Sequence, residues 1–98
     1  MEVASKMTQR IFKYKLETDV FPSKVTELPE GQILDYGMQE GVFYTWILID
    51  DEKLDLTERH HYRVIGTGWD VGDLKDYTFC KTIHDPYGLV WHLFRRIQ

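Results

Sequence analysis

The feature that most constrains this chain is an alternation of side-chain character with a period of two, which is typical of β-strands. It is strongest in segment 42–49, where both sides of a strand would be apolar, one with Val42, Tyr44, Trp46 and Leu48 and the other with Phe43, Ile47 and Ile49. A strand that is apolar on both faces belongs at the centre of a sheet or inside a closed barrel. This segment therefore predicts a core strand of a β-protein.

Five further segments have the composition of strands, 11–16, 32–38, 59–67, 77–83 and 89–94, and segment 24–28 could hold a short edge strand. In segment 32–38 the alternation places Leu34, Tyr36 and Met38 on one face. Turns are expected at 39–41 and at 84–88, where Asp, Pro and Gly are concentrated. The acidic segment 50–58 interrupts the pattern and could hold one short helical turn. We predict an all-β fold of five to six mostly antiparallel strands in a meander, forming a small curled barrel or a compact sandwich.

The size and composition limit the chain to one domain. It has 98 residues, 43% of them hydrophobic, and a net charge of −4. We expect residues 1–9 to be a flexible N-terminal extension and residues 10–97 to form a single β-domain. The acidic balance argues against a nucleic-acid partner, and no apolar run is long enough to span a membrane. Cys80 is the only cysteine, and no signal peptide precedes the pattern, so we expect a cytoplasmic protein.

Residues that could carry chemistry do not form a motif. His60 and His61 are adjacent, so on a strand they point to opposite faces, and no metal-binding spacing of histidine or cysteine is present. The acids of segment 50–58 lack the glycine and terminal glutamate of a calcium loop. Cys80 fits a small apolar strand residue better than a nucleophile. We therefore expect no metal, no cofactor and no catalytic residue.

Two other features have a structural and a functional interpretation. The segment 66–70, Gly-Thr-Gly-Trp-Asp, could be a nest of backbone N–H groups for an anion, but a glycine-rich strand end that needs positive φ fits better. His92 lies within the last strand, where a hydrogen-bonded structural histidine is expected before a functional one.

Aromatic residues in loops are the clearest sign of a binding function. Trp69 and Tyr87 fall in predicted loops, where they either contact a partner or plug the open ends of the barrel. Arginine is also enriched in binding hot spots, and acidic loops can attract a basic partner over a distance. Eight residues are therefore candidates for partner contact: Trp69, Asp70, Tyr87, Arg59, Arg63, Asp51, Glu52 and Asp55.

The order of several segments resembles a family of small phage and prophage proteins known only as a domain of unknown function. The resemblance is carried by 11–14, 28–34, Gln39 with 42–46, 65–68 and 89–94. It covers about residues 10–95 and implies a phage or prophage origin and action inside the bacterial host. It carries no catalytic residues. The chain departs from the family pattern in the acidic segment 50–58, the turn Asp85-Pro86-Tyr87-Gly88 and the basic pair Arg95-Arg96.

Four functions are consistent with these features. The first is a stoichiometric binding protein that acts on a host protein, as in host takeover or inhibition of a defence complex. The second is a sponge for a nucleotide or another small molecule, with aromatic rings on the base and arginines on the phosphates. The third is a hydrolase whose residues meet only in the folded chain. The fourth is a structural protein of the virion or its assembly, a homo-oligomer formed through edge strands. We favour the first.

Overall fold

A computed structural model describes residues 8–19 and 25–97, and these residues form an all-β structure. The strands are β1 (Gln9–Lys15), β2 (Thr18–Asp19), β3 (Thr26–Pro29), β4 (Gln32–Gln39), β5 (Val42–Asp50), β6 (Thr57–Gly66), β7 (Thr78–His84) and β8 (Val90–Ile97). One turn of 3₁₀ helix (Asp51–Lys53) lies in the acidic segment, where a short helical turn was expected. The extension predicted for residues 1–9 falls mostly outside the described residues, and β1 already begins at Gln9.

The first sheet has the order β1-β5-β4 and is antiparallel throughout. Its β4–β5 hairpin turns at Glu40 and Gly41, with φ of 52° and 78°. Two consecutive residues with positive φ are typical of the tight turn that matches strand twist. The prediction that Leu34 shares a face with Tyr36 and Met38 is wrong, because a bulge between Ile33 and Asp35 shifts the register.

The second sheet is built on the antiparallel strands β3-β6-β8-β7, and the two-residue β2 pairs in parallel with β6. β6 and β7 lie on either side of β8 and are therefore parallel to each other. Parallel strands require a crossover connection. Residues 67–77, which we call the crossover loop, make this connection and return along the outer side of the sheet.

The inner faces of the two sheets pack on one hydrophobic core. Its buried members are Leu16, Leu28, Tyr36, Phe43, Ile47, Ile49, Tyr62, Ile83 and Leu93. In β5 every second residue from Phe43 to Ile49 is buried, which follows from the two-residue period of a strand. β5 is thus central in its sheet, as its apolar composition predicted.

The all-β, mostly antiparallel fold is confirmed, whereas the predicted number of five to six strands, the barrel alternative and the meander are wrong. The described residues form two separate sheets with seven strands, besides the two-residue β2, and they do not close into a barrel. The chain is also not a meander, because β1 pairs with β5 and the crossover loop passes over β8. Alternation along a strand does not specify which strand lies beside it, and this is why the strand order could not be predicted from the sequence. In the described part of the chain, no helix is long and apolar enough to cross a membrane.

Candidate functional site

Three turns meet at one end of the molecule and gather exposed aromatic and apolar side chains there. The turns are the β4–β5 hairpin, the beginning of the crossover loop, and the β7–β8 turn. Phe43 of the first sheet contacts Trp91 of the second, with ring centroids 6.3 Å apart. We call this region the aromatic end and define it by Trp69, Tyr87, Leu89 and Trp91.

Trp69 reaches this end by folding back onto the strand that precedes it. Its backbone N–H donates to the carbonyl of Gly66 at 3.1 Å, and its ring meets that of Trp91 edge to face at 5.6 Å. A Cβ on Gly66 would lie 2.7 Å from the indole of Trp69, so only glycine fits there. Gly68 has a φ of +89° and allows the chain to reverse. The glycines thus serve a strand end, the interpretation preferred over an anion nest.

Tyr87 occupies the tip of the β7–β8 turn. The side chain of Asp85 accepts a hydrogen bond from the Tyr87 N–H at 2.6 Å, and Asp85 N–H donates to the Leu89 carbonyl at 2.7 Å. These bonds fix the turn, yet the Tyr87 side chain is 90% exposed and Leu89 is 54% exposed. Tyr87 therefore does not plug the end of the core, whereas Trp69, at 49% exposure, partly covers it.

Two clefts adjoin these side chains. One has a volume of about 390 Å³ and is lined by Trp69, Leu89 and Trp91 together with the glycines of both turns. The other, about 550 Å³, lies between Tyr87 and the β4–β5 turn and also contacts Glu40 and Asp85. The aromatic end thus combines apolar surface with carboxylates.

Arg63 is engaged by its own chain. Its guanidinium donates to the carbonyls of Asp73 at 2.7 Å and Val71 at 2.8 Å, and it lies 5.7 Å from the ring centre of Tyr77. This arginine therefore holds the crossover loop against the sheet. Arg59 is exposed on the same strand, opposite Glu27 of β3. Neither arginine is among the residues that line the two clefts of the aromatic end.

The acidic segment 50–58 lies at the opposite end of β5 and is partly neutralised. Asp51 forms an ion pair with Arg10 at 3.0 Å, and Asp50 lies 3.8 Å from Lys53. Glu52 and Asp55 are exposed. The acids of the crossover loop begin instead at the aromatic end, where the carboxylate of Asp70 accepts the Gly72 N–H at 2.9 Å.

The eight predicted contact residues therefore do not form one surface. The structure brings Trp69, Asp70 and Tyr87 to the aromatic end and places Asp51, Glu52 and Asp55 at the other. Leu89 and Trp91 complete the aromatic end but were not predicted. The Gly-Leu-Val sequence after Tyr87 could have indicated Leu89 as a loop residue, but no local signal showed that Trp91 would meet Trp69.

The histidines take structural positions. His92 is hydrogen-bonded through Nε2 to Thr67 at 2.8 Å and through Nδ1 to Thr82 at 3.0 Å. His60 stacks on Tyr62 with 9° between the ring planes, and burial lowers the pKa of His60 to about 4. Within residues 8–19 and 25–97, no three side chains of His, Cys, Asp or Glu converge to hold a metal ion.

A polar cluster between the two sheets was not visible in the sequence. The hydroxyls of Tyr36 and Tyr62 are hydrogen-bonded at 3.0 Å, and Arg95 donates to Tyr36 at 3.4 Å. Burial raises the pKa of both tyrosines and of the nearby Cys80 thiol, so these groups stay protonated at neutral pH. The cluster links β4, β6 and β8 across the core.

The chain was compared with protein families, curated proteins and solved structures. The model of one family, Domain of unknown function (DUF7352), matches residues 7–98. No curated protein and no solved structure matches the chain. The match includes every strand of both sheets and the whole aromatic end. The chain therefore belongs to the DUF7352 family, a domain of unknown function.

Proposed function

We propose that the protein is a non-enzymatic binding protein that uses its aromatic end to occupy a protein of a bacterial host. The observation that carries this proposal is the exposure of Tyr87, Leu89 and Trp69 on turns that backbone and Asp85 hydrogen bonds hold in place. Aromatic side chains presented on a rigid scaffold lose little conformational entropy on binding.

The charges around the aromatic end indicate the kind of partner. Glu40, Asp70 and Asp85 are the carboxylates of the three turns that form it. A ring of like charge around an apolar centre favours a partner with a basic rim around an apolar patch. Exposed acids of segment 50–58, such as Asp55, would add long-range attraction without contact. The partner is thus a host protein with a basic surface, for example one that handles nucleic acid.

The origin and compartment in this proposal come from the resemblance to phage and prophage proteins. In this proposal the phage protein acts by stoichiometric binding, as in host takeover or inhibition of a defence complex. Such a target lies in the bacterial cytoplasm, where this chain with its single cysteine would remain reduced.

The test compares captures from a bacterial host lysate by quantitative mass spectrometry. Tyr87→Ala removes the most exposed aromatic side chain and Glu40→Lys reverses one charge of the rim. Leu54→Ala and Asp55→Lys are the matched apolar and charge controls at the opposite end. We expect one host protein to be captured by wild type and the Leu54→Ala variant, and to be lost with Tyr87→Ala.

The dissociation constant between the captured protein and each variant then provides the quantitative test. Hot-spot truncations cost about 2 kcal/mol or more, so the dissociation constant should rise at least about 30-fold in Tyr87→Ala. Asp55→Lys should slow association only modestly. The proposal is wrong if no captured protein depends on Tyr87, or if Leu54→Ala weakens capture as much as Tyr87→Ala.

A further inference from the structure

The outer face of the first sheet is apolar, although the core lies on its other side. The side chains of Val42, Tyr44, Trp46 and Leu48 point away from the buried residues of β5 and remain partly exposed. None of these four belongs to the hydrophobic core or packs against it. Ile11 of β1 extends the same face and is 58% exposed. An apolar sheet face of this kind marks a surface that another molecule covers.

The strand register assigns opposite charges to the two sides of this outer face. Residues directly paired across strands share a face, so Lys13 on β1 and Asp35 on β4 flank Trp46 in one row. Lys15 lies in the next row, beside Tyr44. β1 contains no acid and β4 contains no base. The lysines of this face therefore come from one outer strand and its aspartate from the other, although the Lys13 side chain extends across Tyr44 and Asp35 also contacts Lys81.

The centre of the face is flat. Gly37 pairs with Tyr44, and a Cβ on Gly37 would lie 3.2 Å from the ring of Trp46, so the indole lies along the sheet. The ammonium of Lys13 sits 4.6 Å from the ring centre of Tyr44 and donates to the side chain of Gln39 at 2.9 Å. A flat apolar strip suits packing of sheet on sheet, and the exposed Lys13 side chain can leave Gln39 to meet a second molecule.

We propose that this outer face packs against the same face of a second copy, around a two-fold axis parallel to β5. Such an axis places β1 of one copy over β4 of the other. It leaves each row of paired residues at the same position along the strands. Trp46 then meets Trp46 of the other copy, and Lys13 of each copy meets Asp35 of the other. A two-fold axis perpendicular to the strands would instead place β1 on β1 and bring the lysines together, which is unfavourable.

Asp35 can accept this second contact. Its Oδ1 accepts the N–H of Tyr36 at 2.8 Å and also the ammonium of Lys81. Within the described residues both of these bonds use Oδ1, so Oδ2 can bind Lys13 of the second copy. A carboxylate has enough lone pairs for both contacts.

The axis also determines where the aromatic ends lie. Because it runs along the strands, both copies present their aromatic ends in the same direction. If the proposed binding function holds, the dimer would be bivalent towards a repeated or dimeric partner. The dimer itself is independent of that function, because its test uses the protein alone.

The test is the mass in solution by sedimentation equilibrium. A dimer has twice the 11.7 kDa of the chain. Trp46→Thr removes the centre of the face, and Thr suits a strand. Phe79→Thr is the matched control, an exposed aromatic residue on the outer side of the second sheet. We expect wild type and Phe79→Thr to be dimers, and the dissociation constant of Trp46→Thr to rise at least about 10-fold.

A charge exchange tests the axis. In a homodimer, Lys13→Glu brings two carboxylates together at each contact and Asp35→Lys brings two ammonium groups together, so each variant alone should be more monomeric. Mixed together, they restore an opposite-charge contact and should form a heterodimer. Circular dichroism verifies the fold of each variant, because Asp35→Lys also removes the Lys81 contact. If Asp35→Lys does not fold, Lys13→Glu and Trp46→Thr still test the face.

Three results would overturn the proposal. Wild type could remain a monomer at concentrations up to about 1 mM, where even weak association is visible. A dimer could persist unchanged in Trp46→Thr, which would place the interface elsewhere. A dimer that needs Trp46 but does not re-form when the two folded charge variants are mixed would exclude the proposed axis.

Discussion

Tyr36 of the first sheet and Tyr62 of the second join the two layers through a hydrogen bond of 3.0 Å between their buried hydroxyls. Their rings also meet edge to face at a centroid distance of 5.7 Å. If this hydrogen bond were broken, both hydroxyls would stay buried and each would lose a hydrogen-bond partner, which is costly. The pair thus makes the relative position of the sheets specific where hydrophobic packing alone would allow sliding.

The losses of unfolding free energy caused by the two single hydroxyl deletions should not be additive, because each deletion removes the hydrogen-bond partner of the other hydroxyl. Tyr36→Phe leaves the Tyr62 hydroxyl and Arg95 without this partner and should lower the free energy of unfolding by about 1–3 kcal/mol. Tyr62→Phe should cost a similar amount, since Arg95 interacts with both hydroxyls. The double variant should cost less than the sum of the two. Urea unfolding measures all three, and strict additivity would show that the hydroxyls do not interact.

Arg63 should control the stability of the crossover loop. Arg63→Met keeps the apolar stem but loses the two bonds to the carbonyls of Val71 and Asp73. Each bond from a charged donor is worth about 1.5–3 kcal/mol in favourable cases, and partial exposure places the total cost near the lower value. Amide exchange in residues 71–77 should accelerate. Arg59→Ala, an exposed arginine of the same strand, should change stability by less than about 0.5 kcal/mol.

His60 should make the protein sensitive to acid. Burial, and secondarily Arg95, lowers its folded-state pKa to about 4, from an ordinary value of 6.5. The unfolded state therefore takes up a proton first as the pH falls below 6.5. The free energy of unfolding therefore falls between pH 6.5 and pH 4, and this loss amounts to about 3 kcal/mol by pH 4.

The comparison of His60→Gln with wild type isolates this effect from the titration of carboxylates. The difference in unfolding free energy between the two proteins should shift in favour of the variant as the pH falls from 7 to 4. His84→Gln, at an exposed histidine, is the matched control for the loss of a histidine side chain. Parallel curves for wild type and His60→Gln would contradict the shifted pKa.

Gly66→Ala should displace Trp69. The added Cβ would lie 2.7 Å from the indole, so the ring must shift from its present contact with Trp91. Overpacking of this kind costs about 1–3 kcal/mol. Tryptophan emission should move to longer wavelength in the folded state as Trp69 becomes more exposed. Thr67→Ala, in the same turn, should leave the emission unchanged, and an unshifted spectrum in Gly66→Ala would mean that Trp69 does not pack on Gly66.

The amino-acid sequence by itself determined where most strands and turns lie. The apolar faces of β5, the Glu40-Gly41 hairpin and the Asp-Pro-Tyr-Gly turn are local signals, because strand period and turn conformation depend on neighbouring residues. The sequence placed Tyr87 in such a turn but left open whether its side chain is exposed or plugs the end of the core, and only the folded chain shows its exposure. The failure at Leu34 has the same local basis, since a bulge adds one residue and reverses the faces that follow.

Only the tertiary structure decided how the strands are ordered and which residues meet. Pairing of β1 with β5 and the passage of the crossover loop over β8 join residues far apart in the chain, and no residue encodes its distant neighbour. Both faces of β5 are apolar, so the sequence could not show which one is buried. The carbonyls of the crossover loop accept the hydrogen bonds of Arg63, and the turns bring Trp69 close to Trp91. The aromatic end and the outer face of the first sheet therefore exist as surfaces only in the folded chain.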